Sequence, residues 1–227
     1  MKKGKCRLIF SLDFDNKKDF LDWINRTESL IDIYKVGAVP FVALGSEAIR
    51  ILKDKGKKVF LDLKFFDIPN TMVKASLKAM ELGVDIMDFH LSAGRDSLFK
   101  TAEQIKAGAK KANLNMPLLI GVTVLTSEIE KSKISDLTLS YSEIAQSAGF
   151  DGVVLSGRDA PLVRDSIGED LKLICPGIRL ESSEDDQKRV VTPQQIKDYA
   201  DFIVVGRPIY MADSPEQVIK KIISDLD

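Results

Sequence analysis

The chain has little of what many specialised chemistries are built on. Its 227 residues include one histidine, His90, and two cysteines, Cys6 and Cys175. Two isolated cysteines make no disulfide framework and fit a reducing compartment. A zinc site wants about four N or S ligands, and these three side chains are poor material for one. Neither sign of charge is in excess, because 33 Lys and Arg stand against 34 Asp and Glu, a net charge of −1. No bulk charge exists to hold nucleic acid or an anionic membrane, so any anion must be met by a few local residues. No apolar stretch approaches the ~20 residues that span a bilayer. Residues 1–5 are basic, but the apolar run after them is broken at Asp13 and Asp15, which does not read as a secretory leader. The expectation is a cytoplasmic protein with neither a membrane nor a nucleic-acid partner. A GxGxxG after the first strand is also missing, which removes the main support for a dinucleotide-binding sheet.

What is present is core material. Hydrophobic residues make up 44% and charged residues 30%, the balance of a globular chain, read here as a single domain over residues 1–227. Short β-rich runs at 7–12, 33–36, 59–63, 85–89, 118–122, 152–155, 172–174 and 202–205 alternate with amphipathic stretches. The stretches fall at 17–30, 46–55, 72–82, 97–111, 139–148, 161–167, 193–199 and 215–226. Eight strand–helix pairs predict a (β/α)₈ TIM barrel. A doubly wound open sheet yields the same alternation and is the rival. The count of eight favours the barrel. So do the polar residues at the C-terminal ends of the strands: Asp13, Lys35, Asp62 with Lys64, His90, Thr126 and Arg207. That is the face on which barrel enzymes carry their chemistry.

Two constellations stand out. The third strand ends in Asp62-Leu63-Lys64, with Asp67 in the turn beyond. Side chains alternate along a strand, so Asp62 and Lys64 should share the inner face. Lys35, ending the neighbouring strand, can reach the same space, which predicts a ring of alternating charge from Lys35, Asp62, Lys64 and Asp67. Such a ring is either a salt-bridge plug in the barrel mouth or a catalytic site. Asp62 and Lys64 end an otherwise apolar strand with a further Lys and Asp within reach, which favours catalysis. The second constellation is an anion site. Gly206-Arg207 follows the eighth strand and Pro176-Gly177-Ile178-Arg179 the seventh, where this fold commonly binds phosphate. The charged, serine-rich stretch 179–189 reads equally as a lid or as a solvated excursion. A carboxylate-built magnesium site stays open at this point.

Together these residues resemble a known family. Asp-Leu-Lys-Phe-Phe-Asp-Ile-Pro-Asn-Thr at 62–71 is similar to the signature of the orotidine 5′-phosphate decarboxylases, in their compact bacterial form. The resemblance continues through Leu12-Asp13-Phe14, Lys35-Val36-Gly37, Leu125-Thr126-Ser127, Pro176-Gly177-Ile178-Arg179, Asp186-Gln187, Arg189-Val190-Val191-Thr192-Pro193 and Val205-Gly206-Arg207. It implies a carboxy-lyase that converts orotidine 5′-phosphate to uridine 5′-phosphate, the last step of UMP synthesis, with no cofactor and no metal. Lys64 would protonate C6 of the pyrimidine. Asp62 would lie beside the substrate carboxylate, with Lys35 and Asp67 completing the network. Asp13 and Lys35 would contact the ribose. Thr126, Pro176 and Gln187, with Ser127 as a weaker candidate, would line the base and the loop over it. Arg179, Gly206 and Arg207 would hold the phosphate. Asp67 and Thr71 would reach into the site of a second subunit, so the resemblance implies a homodimer.

Two positions depart from the family pattern. Phe66 stands where bacterial members often carry histidine, and Cys175 where threonine is usual. Neither is charged in the implied mechanism, so altered packing is expected rather than lost activity. His90 is expected to be a hydrogen-bonded neighbour of the site with no catalytic role. One rival is a magnesium-dependent lyase resembling hexulose-6-phosphate synthase, which shares an Asp-x-Lys-x-x-Asp pattern. Another, of a different class, is a barrel that binds a nucleotide phosphate without turning it over.

Overall fold

The computed structural model describes residues 5–124, 134–180 and 191–227. Eight parallel strands form β1 (Arg7–Ser11), β2 (Ile33–Gly37), β3 (Lys58–Phe65), β4 (Ile86–His90), β5 (Leu118–Val122), β6 (Gly152–Val154), β7 (Lys172–Pro176) and β8 (Phe202–Val205). Each pairs with the next, and β8 pairs back onto β1 with Arg7 opposite Phe202. That closure makes a (β/α)₈ barrel and excludes the open sheet. Around it lie α1 (Lys17–Thr27), α2 (Ala38–Leu44), α3 (Glu47–Asp54), α4 (Pro69–Glu81), α5 (Arg95–Ala112), α6 (Ile134–Ser147), α7 (Ala160–Ile167), α8 (Pro193–Ile196), α9 (Arg207–Tyr210) and α10 (Pro215–Leu226). Among the described residues no helix is long and apolar enough to cross a membrane.

Local chemistry explains the helix limits. The Asn16 side chain accepts from Asp19 N–H at 2.9 Å and starts α1, which buries Phe20, Ile24 and Thr27 at a spacing of one helical face. Pro69 and Pro215 open α4 and α10 at positions where a missing N–H costs nothing. Thr192 and Gln195 form a reciprocal capping box at α8. Two helices were not expected from the sequence. Pro40 lies in the first turn of α2, where proline is tolerated. The four-residue α9 is shorter than any periodicity can reveal.

Two apolar layers result. Ile9, Ile33, Phe60, Ile86, Ile120, Ile174, Phe202 and Val204 fill the barrel interior, and a larger cluster packs the outer face of the strands against the helices. The N-terminal end is tied by a recurring carboxylate. Asp85, Asp151 and Asp201, each just before an even-numbered strand, accept from the backbone N–H of Val59, Leu119 and Leu173 on the strand before it. Asp201 also takes the buried Arg164 guanidinium at 2.8 Å, and Arg164 further donates to the carbonyls of Tyr199, Gly168 and Leu171. This end is therefore cross-braced, and the C-terminal end is left to carry the site.

Candidate active site

Pleating places the site. Ile33, Phe60 and Ile86 face the barrel interior, so the residues two further along, Lys35, Asp62 and Asp88, form the next inward layer toward the mouth. The Lys35 ammonium lies 3.0 Å from Asp62 Oδ2 and 3.3 Å from Asp13 Oδ1. The Lys64 ammonium pairs with Asp62 Oδ1. Ser11 donates its hydroxyl to Asp13 Oδ2 at 2.8 Å, which orients that carboxylate toward Lys35. The charges therefore run Asp13–Lys35–Asp62–Lys64 across the opening.

Asp62 sits between two ammonium groups with its side chain 13% exposed. Burial works to raise its pKa, but Lys35, the Asp88 carboxyl beside it and Lys64 outweigh burial and hold it at about 2. Burial likewise opposes charge on Lys35, yet Asp62 and Asp13 raise its pKa above the ordinary lysine value. Both groups are charged throughout the neutral range. Asp88 goes the other way. Burial, and then the Asp62 charge beside it, push its pKa well above the ordinary aspartate value.

Lys64 arrives by a route that strict alternation does not describe. The β3–β4 register pairs Phe60 with Ile86 and Leu61 with Met87, then resumes at Phe65 with Phe89. Residues 62–64 thus oppose Asp88 alone, a bulge in which Lys64 takes φ +50°. That left-handed backbone is uncommon for a side chain of this size. Its N–H, freed from the ladder, donates to Asp88 Oδ1 at 2.7 Å. Asp62 and Lys64 do meet, as expected, but a bulge brings them together.

Asp67 stands apart from the network in this chain. It is exposed, and its Oδ1 accepts from Ile68 N–H at 2.7 Å. Thr71, in the first turn of α4, is also exposed. Within one chain the ring expected from Lys35, Asp62, Lys64 and Asp67 is completed by Asp13 and Asp88 instead.

Beside the network opens a cavity of about 690 Å³, the size of a small-molecule site. Lys35, Asp62 and Lys64 form one wall, Pro176 and Gly177 another, and Phe60, Val122, Val154 and Val204 an apolar floor. Gly177 has φ +76°, a turn that favours glycine. A Cβ on Gly206 would lie 3.2 Å from Ser11 Cβ and 3.6 Å from Asp13 Oδ2, so the chain passes close to the network there. Arg179 and Arg207 are exposed beyond the ends of the neighbouring strands β7 and β8. Burial and Asp13 raise the Tyr210 phenol pKa, while Arg207 and Lys35 oppose them. Among the described residues no three His, Cys, Asp or Glu side chains are grouped to hold a metal ion.

The chain and its fold match known proteins. The family model described as orotidine 5′-phosphate decarboxylase / HUMPS family matches residues 6–222. The chain belongs to this family. A protein of Syntrophotalea carbinolica named orotidine 5′-phosphate decarboxylase is 35% identical over 99% of this chain and 96% of its own length. One of Legionella pneumophila (strain Corby) with the same name is 39% identical over 97% of this chain and 99% of its own. The crystal structure of the orotidine 5′-phosphate decarboxylase from Lactobacillus acidophilus superposes with a TM-score of 0.81 at 29% identity, covering 99% of this chain and all of that one.

Within this member of the orotidine 5′-phosphate decarboxylase / HUMPS family, three expected site residues, Thr126, Ser127 and Gln187, lie outside the described residues. His90 accepts from Ser92 N–H and contacts its hydroxyl, capping the short turn after β4, and the Phe66 ring lies 5.6 Å away. It is hydrogen-bonded, as expected. The sequence reading missed Asp88, and it missed Ser156, Arg158 and Asp159, which line the cavity beyond β6. Asp159 accepts from Ser135 at 2.7 Å. Asp88 left a signal, since it follows inward Ile86 by two residues in an expected strand. The β6 group left the same signal as the other sites, polar residues just past the C-terminal end of an expected strand.

Proposed function

We propose that the chain is a cofactor-free carboxy-lyase that converts orotidine 5′-phosphate to uridine 5′-phosphate, a cytoplasmic step of pyrimidine nucleotide synthesis. The observation that carries this reading is the Lys35–Asp62–Lys64 chain of alternating charge at the wall of a cavity with an apolar floor. Relatives of 35–39% identity that carry the decarboxylase name over nearly the whole chain support it against the magnesium-dependent sugar-phosphate lyase. The occupied charge network speaks against a barrel that only binds.

Loss of CO₂ from C6 leaves a carbanion with no neighbouring electron sink. Asp62 stays ionised beside the substrate carboxylate, and like charges about 4 Å apart repel by roughly 4 kcal/mol at an effective dielectric near 20. That covers part of a catalytic effect of roughly 8–23 kcal/mol. The Lys64 ammonium supplies more, by facing the charge that develops at C6 and then protonating it. Lys35 keeps Asp62 ionised and, with Asp13, meets the ribose hydroxyls. Pro176 lines the base, and Arg179, Gly206 and Arg207 hold the phosphate, whose remote binding energy is expressed at the reacting carbon. Thr126, Ser127 and Gln187 complete the contacts to the base.

The active form is a homodimer in which Asp67 and Thr71 complete the partner's site. Phe66 and Ile68, flanking Asp67, are 64% and 65% exposed, and Val42, after the adjacent strand β2, is 85% exposed. Large apolar side chains left in water around a charged residue suit a face that a second copy covers.

Arg207→Ala tests the phosphate assignment. Turnover of orotidine 5′-phosphate should fall by roughly 10²-fold or more in kcat/KM, the scale of a lost charge-assisted contact, while orotidine lacking the phosphate is little affected. Equal losses on the two substrates would contradict it.

A further inference from the structure

Asp88 is the one buried side chain, among the described residues, with a polar atom that lacks a hydrogen-bond partner, its Oδ2. It is completely buried in β4, where nothing in the mechanism above uses it. On the β3 side it meets Asp62 and Lys64, and on the β5 side the inward positions are the apolar Ile120 and Val122. Its other oxygen accepts from Lys64 N–H at 2.7 Å. The carboxyl therefore stands opposite the bulge and takes the strand N–H that the bulge releases, at the residue whose backbone is left-handed.

We propose that Asp88 is a positioning residue of this site: its carboxyl bridges Asp62 and the Lys64 backbone across the bulge, and so fixes where the Lys64 ammonium stands. This rests on the decarboxylase reading above. Asp88 does so as a neutral acid. Two facing carboxylates are both acceptors, and the contact becomes a hydrogen bond only when one of them carries a proton. Asp62 lies between two ammonium groups and is the one that ionises, so the proton stays on Asp88. One end of the group then donates to Asp62 and the other accepts from Lys64. Without it, the left-handed turn at Lys64 has an unsatisfied N–H and no anchor, and the ammonium loses its register on the reacting carbon.

The amide of asparagine has the same shape, one donor end and one acceptor end, and no charge. Asp88→Asn should therefore keep kcat for orotidine 5′-phosphate within a few-fold of the wild type. Asp88→Ala should lower kcat on the order of a hundred-fold, as expected for a misplaced catalytic group, with KM changed only a few-fold. Infrared difference spectra of wild type and Asp88→Asn at neutral pH should show one protonated carboxylic acid that the variant lacks. Circular dichroism establishes that both variants are folded. The proposal is overturned if folded Asp88→Asn loses as much kcat as Asp88→Ala, if Asp88→Ala keeps the wild-type kcat, or if the protonated-acid band is absent. Wild-type protein that does not decarboxylate orotidine 5′-phosphate would overturn the functional reading itself, and this role with it.

Discussion

A carboxyl that keeps its proton in the fold and loses it on unfolding makes stability fall as pH rises, and Asp88 is such a group. Its folded pKa is raised by burial and by Asp62, while an unfolded aspartate titrates near 4. Between those two values the native state binds one proton more than the unfolded chain. Asp88 then contributes a slope of about −1.4 kcal/mol per pH unit to the unfolding free energy. Asp62 has the opposite sign. Its folded pKa is held at about 2, so its contribution is present above the unfolded value and is lost as pH falls through the acid range. Asparagine at 88 cannot titrate. Thermal or denaturant unfolding of Asp88→Asn should show the variant gaining stability relative to the wild type as pH rises above the unfolded aspartate value near 4. A gap independent of pH would mean that Asp88 is already ionised in the fold.

Among the elements, the strands were the most legible, because their physics is local. Leu118–Val122 and Phe202–Val205 are short apolar runs between polar turns, and both fall where expected. Asp62, Lys64 and Lys35 were legible for the same reason, as charges at the ends of otherwise apolar strands. Departures arise where tertiary contacts overrule local pattern. β3 runs on to Phe65, past the expected end at 63, because the bulge lets it pair again with Phe89 after Asp88 has absorbed three of its residues. A bulge is decided by the neighbouring strand, so one strand's own sequence does not announce it. Asp88 was readable in principle, since it shares a face with Ile86. A lone acid within a strand gains meaning only once its neighbours are known to be Asp62 and Lys64. The β4 carboxyl at the mouth repeats what Asp85, Asp151 and Asp201 do at the other end: it accepts from the backbone of the preceding strand.

The proposed homodimer belongs to the scale of the whole molecule: Asp67 and Thr71 are exposed and stand outside the Lys35–Asp62–Lys64 network of their own chain. If each site takes Lys64 from one chain and Asp67 from the other, two inactive variants should complement. Lys64→Ala and Asp67→Ala, mixed in equal amounts and allowed to exchange subunits, form hybrids with one intact site and one doubly defective site. Random pairing restores about a quarter of the wild-type activity. A mixture no more active than its components would place Asp67 outside the partner's site. The central claim remains chemical, and the most direct measurement is the absorbance of orotidine 5′-phosphate with purified protein and excess EDTA. Decay to uridine 5′-phosphate, undiminished by the chelator, is the expected result. No decay, with turnover appearing only on a sugar phosphate plus magnesium, would contradict it and assign the charged mouth to the rival lyase chemistry.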